Sequence, residues 1–301
     1  MKIRIATRKS KLALFQAEYV ANKIKQQNQE IEVELIPMSS EGDLTDKPLH
    51  QIGGKGLFIK TLESALLENT ADIAVHSLKD VPAKLDQSFK IISVFKRASA
   101  SDILLTKDGA SLKSMQKNST IGTSSPRRRA QIKILRPDLN TCAVRGNIAT
   151  RIKKLNEGDF DGLIVAKAAI ERLNLSFVNS YELSYQEMLP SASQGYIGIE
   201  CISSNENLIK VLNSINSKKD MILAEAERNF VAQLNGSCLS PIAIYCREES
   251  GQILITAKVL SQNGDKQIFK EIISNFKTID QDIKNLSGEF ISNGADKLIL
   301  S

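Results

Sequence analysis

The stretch Ile121-Gly122-Thr123-Ser124-Ser125-Pro126-Arg127-Arg128-Arg129 joins the end of an apolar strand to the start of a helix. Ser125 is a good helix N-cap, and Pro126 suits the first helical position because the N–H it lacks would have no partner there. The N–H groups of a helix start attract anions, and a guanidinium group binds a carboxylate or phosphate through two parallel hydrogen bonds. The stretch therefore predicts a site for an anionic ligand, although a solvated basic helix face is the better explanation of the motif taken alone.

A second junction from strand to helix, Ile5-Ala6-Thr7-Arg8-Lys9-Ser10, repeats this arrangement. Downstream of the two junctions an acidic spacing also repeats, as Glu68-x-x-x-Asp72 and as Glu157-x-x-x-Asp161, each time ahead of an apolar run. Because the matches occur in the same order, they indicate two related α/β domains facing one another. Ligands of such sheets bind beyond the carboxyl ends of the strands, often between domains.

Short apolar runs alternate with helical patterns up to about residue 217, which is typical of an α/β protein with largely parallel sheets. The predicted strands are 3–6, 32–37, 72–76, 102–106, 141–144 and 162–166, and the predicted helices are 11–26, 57–67, 127–136 and 147–156. From about Lys218 onward, helices at 221–234 and 279–293 flank alternating strands at 242–246 and 253–260, which predicts a small α+β domain.

Composition limits the possible functions. The 301 residues suffice for two or three domains, and the net charge of +6 is compatible with an acidic ligand. Acidic and basic residues are interspersed, and aromatic residues make up only 5% of the chain, so no stacking platform for nucleic acid is indicated. The N-terminus lacks the apolar core of a signal peptide, and no stretch approaches the length of a membrane span. We therefore expect a cytoplasmic protein that binds neither nucleic acid nor membranes.

An asymmetry between the two halves concerns a carboxylate. Eight residues after Asp72 lies Asp80, next to Lys79, whereas eight residues after Asp161 lies Ala169. A carboxylate at the end of a strand could stabilise a developing cation or move a proton. An ordinary ion pair in a turn is an equally good explanation of the local sequence.

The second half carries arginines at comparable places. Arg145 and Gly146 close a strand ahead of a helix, Arg151 lies one turn inside that helix, and Arg172 ends the next one, while Arg8 lies at the first junction of the other half. Each alone is better explained as a surface residue. Together they would form a basic hollow that is too charged for a neutral metabolite.

Two glycine-containing loops complete the set of candidates. Gly53-Gly54-Lys55-Gly56-Leu57-Phe58 opens a helix, but it fits neither a P-loop nor a dinucleotide fingerprint, so we expect a mobile lid. Asn235-Gly236-Ser237-Cys238-Leu239-Ser240-Pro241 carries one of the four cysteines, with no histidine downstream to activate it. A covalent attachment point is its functional interpretation, and a buried small residue is the alternative that local sequence favours. Neither a disulfide framework nor a metal site is expected from so few, widely spaced cysteines and histidines.

Together these motifs resemble the porphobilinogen deaminase family, also called the hydroxymethylbilane synthases, over nearly the whole chain. Seven separated motifs match in order, and the last of them is the cysteine loop. The other six are Arg4-Ile5-Ala6-Thr7-Arg8-x-Ser10, Gly53-Gly54-Lys55-Gly56-Leu57-Phe58, Ala71-Asp72-Ile73-Ala74-Val75-His76-Ser77-Leu78-Lys79-Asp80-Val81-Pro82, Gly122-Thr123-Ser124-Ser125-x-Arg127-Arg128, Arg145-Gly146-Asn147, and Gly195-x-x-Gly198-Ile199-Glu200.

The resemblance implies a reaction and a cofactor. Four molecules of porphobilinogen, a pyrrole that bears acetate and propionate, are joined head to tail with loss of ammonia, and water then frees linear hydroxymethylbilane. A dipyrromethane cofactor, bound by a thioether to Cys238, primes the chain and remains after release. The partners implied are porphobilinogen and the growing polypyrrole chain, and we expect a monomer.

The resemblance also implies the architecture. It consists of two related periplasmic-binding-protein-like α/β domains around a basic cleft, plus a small C-terminal α+β domain. We place the first domain at 1–97 and 194–216, the second at 98–193, and the C-terminal cofactor-attachment domain at 217–301.

Family roles transfer to individual positions of this chain. Asp80 matches the catalytic aspartate, which accepts pyrrole N–H bonds and stabilises the cation formed when ammonia leaves. The expected cofactor-binding residues are Cys238, Lys79, Ser77, Ser125, Arg127, Arg128, Arg145 and Gly146; the expected substrate-binding residues are Arg8, Ser10, Arg151 and Arg172; the expected lid residues are Lys55 and Phe58.

Three positions depart from the usual family pattern. Pro126 replaces a leucine-like residue, Ser237 replaces a glycine beside the cysteine, and Ser193 replaces a glycine in a Gly-Gln-Gly sequence at the expected hinge. None of them removes the proposed acid or thiol. The alternative function is a non-enzymatic two-domain binding protein for a polycarboxylate anion, and nucleic-acid binding through Arg127–Arg129 is weaker because no recognition motif surrounds that run.

Overall fold

A computed structural model describes residues 1–39, 57–175 and 179–300, without the side chains of 57 and 58. Its strands and helices follow one another as β1 (Lys2–Arg8), α1 (Lys11–Gln27), β2 (Glu32–Met38), α2 (Leu57–Leu67), β3 (Ile73–Ser77), β4 (Phe89–Val94), β5 (Asp102–Thr106), β6 (Thr120–Gly122), α3 (Pro126–Leu135), β7 (Asn140–Cys142), α4 (Ile148–Glu157), β8 (Gly162–Ala166), α5 (Lys167–Arg172), β9 (Ser180–Glu182), β10 (Ile197–Ile202), α6 (Glu206–Asn213), α7 (Lys218–Gln233), β11 (Ile242–Glu249), β12 (Gln252–Leu260), β13 (Gln267–Ser274), α8 (Ile279–Ser292) and α9 (Ala295–Leu298). The expected lid residue Lys55, together with the side chain of Phe58, lies outside the described part.

The chain forms two compact units. The first consists of Met1–Ala98 and Gly195–Ala224, and the second of Ser99–Gln194 and Glu225–Ser301. The first unit contains a five-stranded sheet of order β2-β1-β3-β10-β4, and the second a five-stranded sheet of order β7-β6-β8-β5-β9. In both sheets the first two neighbouring pairs are parallel and the last two are antiparallel. The two sheets therefore share one topology, which confirms that the α/β units are related.

The expectation of largely parallel sheets is wrong for half of these strand pairs. The antiparallel strands are β10 and β5, which occupy the same fourth place in their sheets. Each is the first strand after the chain enters its unit, at Gly195 and at Ser99 respectively. A strand that arrives from another unit has no crossover helix before it, so nothing requires it to be parallel to its neighbours.

The acidic spacing found in the sequence has one structural role in both units. Asp72 precedes β3 and accepts a hydrogen bond from the backbone N–H of Arg4, at 2.7 Å. Asp161 precedes β8 and accepts one from the backbone N–H of Thr120, also at 2.7 Å. Each aspartate also donates its own N–H to the carbonyl of the same partner, at 2.9 Å. These paired hydrogen bonds fix the register between β1 and β3 and between β6 and β8.

The first helix shows how the core of the first unit forms. Its apolar residues recur every three or four positions, so they lie along one face. Ala17, Val20 and Ile24 are buried on that face, in one apolar cluster with Ile5 of β1 and Ile73 of β3. Burying such side chains stabilises the unit by about 1.5–3 kcal/mol for each large aliphatic residue.

The C-terminal segment adds an antiparallel sheet of order β11-β12-β13 with helices α7, α8 and α9. Phe230 of α7 and Phe290 of α8 are buried and meet edge to face, with ring centroids 5.1 Å apart. The sequence did not predict β13, an edge strand whose apolar residues come as two pairs, Ile268-Phe269 and Ile272-Ile273, rather than in alternation. Phe269 and Ile273 are exposed. No helix within the described ranges is long and apolar enough to cross a membrane.

Candidate functional site

The helix α3 begins as its sequence predicts. Ser125 is its N-cap, and its hydroxyl accepts the backbone N–H of Arg128 at 3.4 Å, with Pro126 in the first turn. The preceding Gly122 ends β6 where a Cβ atom would lie 2.7 Å from Val144 Cγ2, so only glycine fits. The junction therefore brings Arg127 and Arg128 to the first turn of a helix anchored in the sheet.

Both arginines are buried rather than solvated, with only 3% and 7% of their surface exposed. Arg127 Nη2 donates to Asp102 Oδ2 at 2.8 Å, and Arg128 Nη2 donates to Asp102 Oδ1 at 2.7 Å. Sequence reasoning did not find Asp102, which was treated only as a strand residue. Because one carboxylate serves two guanidinium groups, the cluster retains an excess of positive charge.

The remaining donors of this pair are partly satisfied. Arg127 Nη1 donates to the carbonyl of Leu189 at 2.6 Å, and Arg128 Nη1 donates to that of Ile164 at 2.9 Å. Their Nε–H groups are buried and have no acceptor among the described residues. Burial lowers the pKa of Arg127 below its usual value, which the charge of Asp102 opposes and that of Arg128 reinforces.

A second arginine turn lies after β7. Asn147 caps α4 by accepting the N–H of Thr150 at 3.0 Å. Gly146 has a φ of +102°, and a Cβ there would lie 2.7 Å from the side chain of Thr150, so this position requires glycine. Arg151 Nε donates to the carbonyl of Gly146 at 2.7 Å, which closes the turn. Arg145, which precedes this turn, is half-buried.

Two more predicted arginines lie at ends of regular elements. Arg172 is the last residue of α5, and Arg8 is the last residue of β1, both half-buried. Ser10, two residues after Arg8, caps α1 by accepting the N–H of Ala13 at 3.3 Å. Ser10 and Ser125 thus perform the same capping role in the two related units.

Asp80 stands on a one-turn 3₁₀ helix, Leu78–Asp80, directly after β3. Leu78 anchors this turn because its side chain is fully buried and its N–H donates to the carbonyl of Tyr196 at 3.1 Å. Gly198 makes room for it, since a Cβ there would lie 2.8 Å from Leu78 Cδ1. The side chain of Asp80 is exposed, and that of Lys79 is half-buried. A fixed turn therefore presents the carboxylate to solvent.

The strand before Asp80 carries two side-chain pairs that sequence reasoning missed. The Ser77 hydroxyl lies 2.8 Å from Gln16 Nε2 and 3.1 Å from Gln16 Oε1. His76 Nε2 lies 2.8 Å from Glu200 Oε2, with both side chains buried. Glu200 belongs to the Gly195-x-x-Gly198-Ile199-Glu200 motif, which was the only sequence signal for it. Ser77 therefore enters the site with its hydroxyl already bound to α1.

The cysteine loop follows α7 in a tight, built turn. The N–H of Gly236 donates to the carbonyl of Val231 at 2.9 Å. The Ser237 N–H donates to Ser240 Oγ at 3.0 Å, and the Ser237 hydroxyl accepts the N–H of Leu239 at 3.2 Å. Cys238 is exposed at the tip of this turn. The structure thus excludes the alternative that Cys238 is a buried small residue.

The other three cysteines are less suited to react. Cys201 and Cys246 are buried, and Cys142 is half-buried. Burial raises the pKa of the Cys142 thiol and raises that of Cys201 to about 11. Since the thiolate is the nucleophile, both positions favour the unreactive thiol. The described residues contain no group of three histidine, cysteine or acidic side chains arranged to hold a metal ion.

Two family models together match most of the chain. The model described as "Porphobilinogen deaminase, dipyromethane cofactor binding domain" matches residues 3–210, and the model described as "Porphobilinogen deaminase, C-terminal domain" matches residues 221–287. Relatives named porphobilinogen deaminase include one from Campylobacter hominis, 41% identical over 99% of this chain and 97% of its own. Another, from Sulfurimonas denitrificans, is 40% identical over 99% of this chain and 96% of its own.

Solved structures with a similar arrangement have much lower identity. The VFT2 domain of Bordetella pertussis BvgS is 12% identical, with a TM-score of 0.46, over 75% of this chain and 92% of that one. A periplasmic binding protein of Salmonella typhimurium with high arginine specificity is 13% identical, with a TM-score of 0.45, over 76% of this chain and 97% of that one.

Proposed function

Because the chain belongs to the porphobilinogen deaminase family, we propose that it uses Cys238, Asp80 and a set of arginines to condense four porphobilinogen molecules head to tail. Each condensation releases ammonia, and hydrolysis then yields hydroxymethylbilane for tetrapyrrole and haem synthesis. The observation that carries the assignment of residues is the exposed thiol of Cys238 on a turn fixed by backbone and serine hydrogen bonds.

The residues present fit a dipyrromethane cofactor. An accessible thiol is required for a thioether, and Cys238 supplies one. The acetate and propionate groups of a dipyrromethane need N–H donors, and Arg127 and Arg128 carry buried Nε–H groups that have no acceptor in the described part of the chain. When bound, the cofactor supplies the pyrrole carbon to which the first substrate is joined. Lys79, Ser77, Ser125, Arg145 and Gly146 complete the proposed cofactor-binding set.

The proposed role of the arginines is to bind and orient the carboxylates of the substrate and of the growing chain. Each porphobilinogen brings two carboxylates, so the growing chain gains negative charge at every step. Guanidinium groups suit this ligand because they remain charged and bind a carboxylate through two hydrogen bonds. We assign substrate carboxylates to Arg8, Ser10, Arg151 and Arg172, with Lys55 and Phe58 as the lid. The excess positive charge around Asp102 supports the cofactor-binding role of Arg127 and Arg128.

Asp80 handles the charge that develops during the reaction. Loss of ammonia leaves positive charge on the pyrrole, and a carboxylate that accepts the pyrrole N–H stabilises it. The anchoring of Leu78 holds Asp80 in place before the reaction, so little reorganisation is needed. Preorganised electrostatic groups of this kind typically contribute about 3–4 kcal/mol to lowering the barrier.

The sequence-based domain boundaries are part of the proposal. We infer domains at 1–97 with 194–216, at 98–193, and at 217–301. The separate antiparallel sheet of β11, β12 and β13 supports a distinct C-terminal domain. We also propose that the protein is a monomer and acts in the cytoplasm, where reducing conditions keep the thiol of Cys238 available before attachment.

Intact mass measurement tests the function. Purified protein should exceed its sequence mass by two pyrrole units, and Cys238→Ser should remove that excess. Cys142→Ser is the matched control, because Cys142 is half-buried and should leave the excess unchanged. An unmodified protein that stays inert towards porphobilinogen after reconstitution would refute the assignment, and binding of polycarboxylates by such a protein would favour the alternative function.

A further inference from the structure

The proposed reaction does not by itself explain why the carboxylate of Asp102 is buried between two arginines. Asp102 opens β5, and its side chain has no exposed surface. It contacts Arg127 through one oxygen and Arg128 through the other, at 2.8 and 2.7 Å. The two arginines are consecutive residues of α3, so one carboxylate fixes the spacing between their guanidinium groups.

A third donor fixes the carboxylate itself. Gln194 Nε2 donates to Asp102 Oδ1 at 2.9 Å and to the carbonyl of Ala100 at 2.7 Å. Gln194 is fully buried and is the last residue of the second unit before the chain returns to the first. Asp102 is therefore held by groups from α3 and from the segment before β10, and its position depends on neither arginine alone.

Arg127 and Arg128 use some, but not all, of their N–H groups in hydrogen bonds to the described residues. Their Nη1 groups donate to the carbonyls of Leu189 and Ile164, whereas their Nε–H groups have no acceptor within the described residues. A buried N–H without a partner is costly, and these two lie on side chains that are more than nine-tenths buried. The two unused donors and the surplus positive charge indicate a ligand that brings carboxylate acceptors.

We propose that Asp102 is a positioning residue for anion capture, which holds Arg127 and Arg128 as a fixed pair that receives a carboxylate of the attached cofactor. This inference rests on the proposed function. A carboxylate in this place also has a cost, because its charge repels the ligand's carboxylate. A positioning role and a simple countercharge role therefore predict opposite results when the charge is removed.

The substitution Asp102→Asn separates the two roles. Asparagine keeps the shape but offers one oxygen acceptor, and its NH₂ group would face one of the guanidinium groups donor to donor. If Asp102 positions the arginines, attachment of the cofactor slows by about tenfold or more, since charged hydrogen bonds are among the strong ones. If Asp102 only balances charge, attachment proceeds at the normal rate or faster.

The experiment follows cofactor attachment by mass. The full-length wild-type chain and the variant are produced in cells that make no porphobilinogen and are then incubated with porphobilinogen, while intact mass records the gain of two pyrrole units over time. Asp138→Asn is the matched control. Asp138 binds Arg136 just beyond the same helix through two hydrogen bonds, at 2.8 and 2.7 Å, but this pair is part-exposed and should not affect attachment.

A second variant covers the case in which Asp102→Asn does not fold. Asp102→Glu keeps the charge but moves the carboxylate by one methylene group, so positioning predicts slow attachment and charge balance predicts the normal rate. In the Cys238→Ala background, citrate should raise the melting temperature of the parent more than that of Asp102→Glu, an anion-dependent difference that loss of packing alone would not produce.

The outcomes are distinguishable. Attachment at least tenfold slower in a folded Asp102 variant, with Asp138→Asn normal, supports the inference. Attachment within twofold of wild type in a folded Asp102→Asn or Asp102→Glu protein overturns it. If the wild-type chain itself gains no pyrrole units, the proposed function fails, whatever the variants do.

Discussion

Gly236→Ala tests how the cysteine turn is built. Gly236 lies two residues before Cys238, and an added Cβ would lie 2.4 Å from Ile242 Cδ1, 3.0 Å from Val231 Cγ1 and 3.2 Å from the Val231 carbonyl oxygen. Ile242 and Val231 are only 4% and 8% exposed, so neither can move into solvent. The carbonyl of Val231 cannot retreat either without losing its hydrogen bond from the N–H of Gly236.

The expected magnitude combines two opposing terms. Inserting a methyl group into packed surroundings costs about 1–3 kcal/mol. Replacing glycine by alanine restricts the unfolded chain and recovers about 0.4–1 kcal/mol. The backbone of Gly236 is not left-handed, so no further strain is added. We therefore expect Gly236→Ala to lower the free energy of unfolding by about 1–2 kcal/mol.

Urea denaturation followed by circular dichroism measures this change. The Cys238→Ala background removes any stabilisation by an attached cofactor, so the comparison reports the turn alone. Gly288→Ala is the matched control, because Gly288 lies inside α8 and an added Cβ would contact nothing within 4 Å. That control should raise stability by about 0.5–1 kcal/mol. A Gly236→Ala protein as stable as its parent would refute the steric argument.

Three further predictions concern single carboxylates. Asp80→Ala should abolish turnover of porphobilinogen while intact mass still shows the attached cofactor, and a near-normal rate would remove Asp80 from the catalytic role. Arg136 lowers the pKa of Asp138 from 3.8 to about 2, so the ionised Asp138 carboxylate stabilises the folded state above pH 4. The stability difference between wild type and Asp138→Asn should therefore vanish as the pH falls from about 4 towards 2. An unchanged difference at pH 2 would contradict this prediction. Glu227→Gln should lower the free energy of unfolding by about 1–3 kcal/mol in urea titrations. The buried Glu227 carboxylate accepts the N–H groups of Ser193 and Cys246, at 2.6 and 2.8 Å, whereas an amide can accept only through its one oxygen. An unaffected urea midpoint would show that these bonds contribute nothing.

Local patterns predicted those elements whose signals are local. The strand β8 and the helix α2 have the predicted bounds, and Ser125 caps α3 as its junction motif predicts. The direction of β10 could not be predicted, because it depends on pairing with β3 and β4, more than a hundred residues earlier in the chain. Register and direction follow from the partner, and a single sequence does not state which segments pair.

The candidate site also contains residues with local sequence signals and residues whose contacts are distant in the sequence. Asp80 and Cys238 lie on exposed turns, so local motifs were enough to propose them as candidates. Asp102, Gln194 and Glu200 act through side-chain pairs that span 25 to 124 residues of sequence, which no local pattern reveals. One signal was available for Asp102, since three apolar residues, Ile103-Leu104-Leu105, follow it directly in a fully buried strand. A buried carboxylate needs a counter-ion, and the nearby arginine pair was the obvious candidate.

The three departures from the family pattern have local compensations. Pro126 is buried in the first turn of α3, where its missing N–H costs no hydrogen bond. Ser193 has a φ of +61°, which explains why glycine is usual there, and its N–H is held by the carboxylate of Glu227. Ser237 uses its hydroxyl to accept the N–H of Leu239, a bond that glycine could not make. The turn that carries Cys238 therefore replaces the conformational freedom of a glycine by a hydrogen bond, which holds the exposed thiol in position.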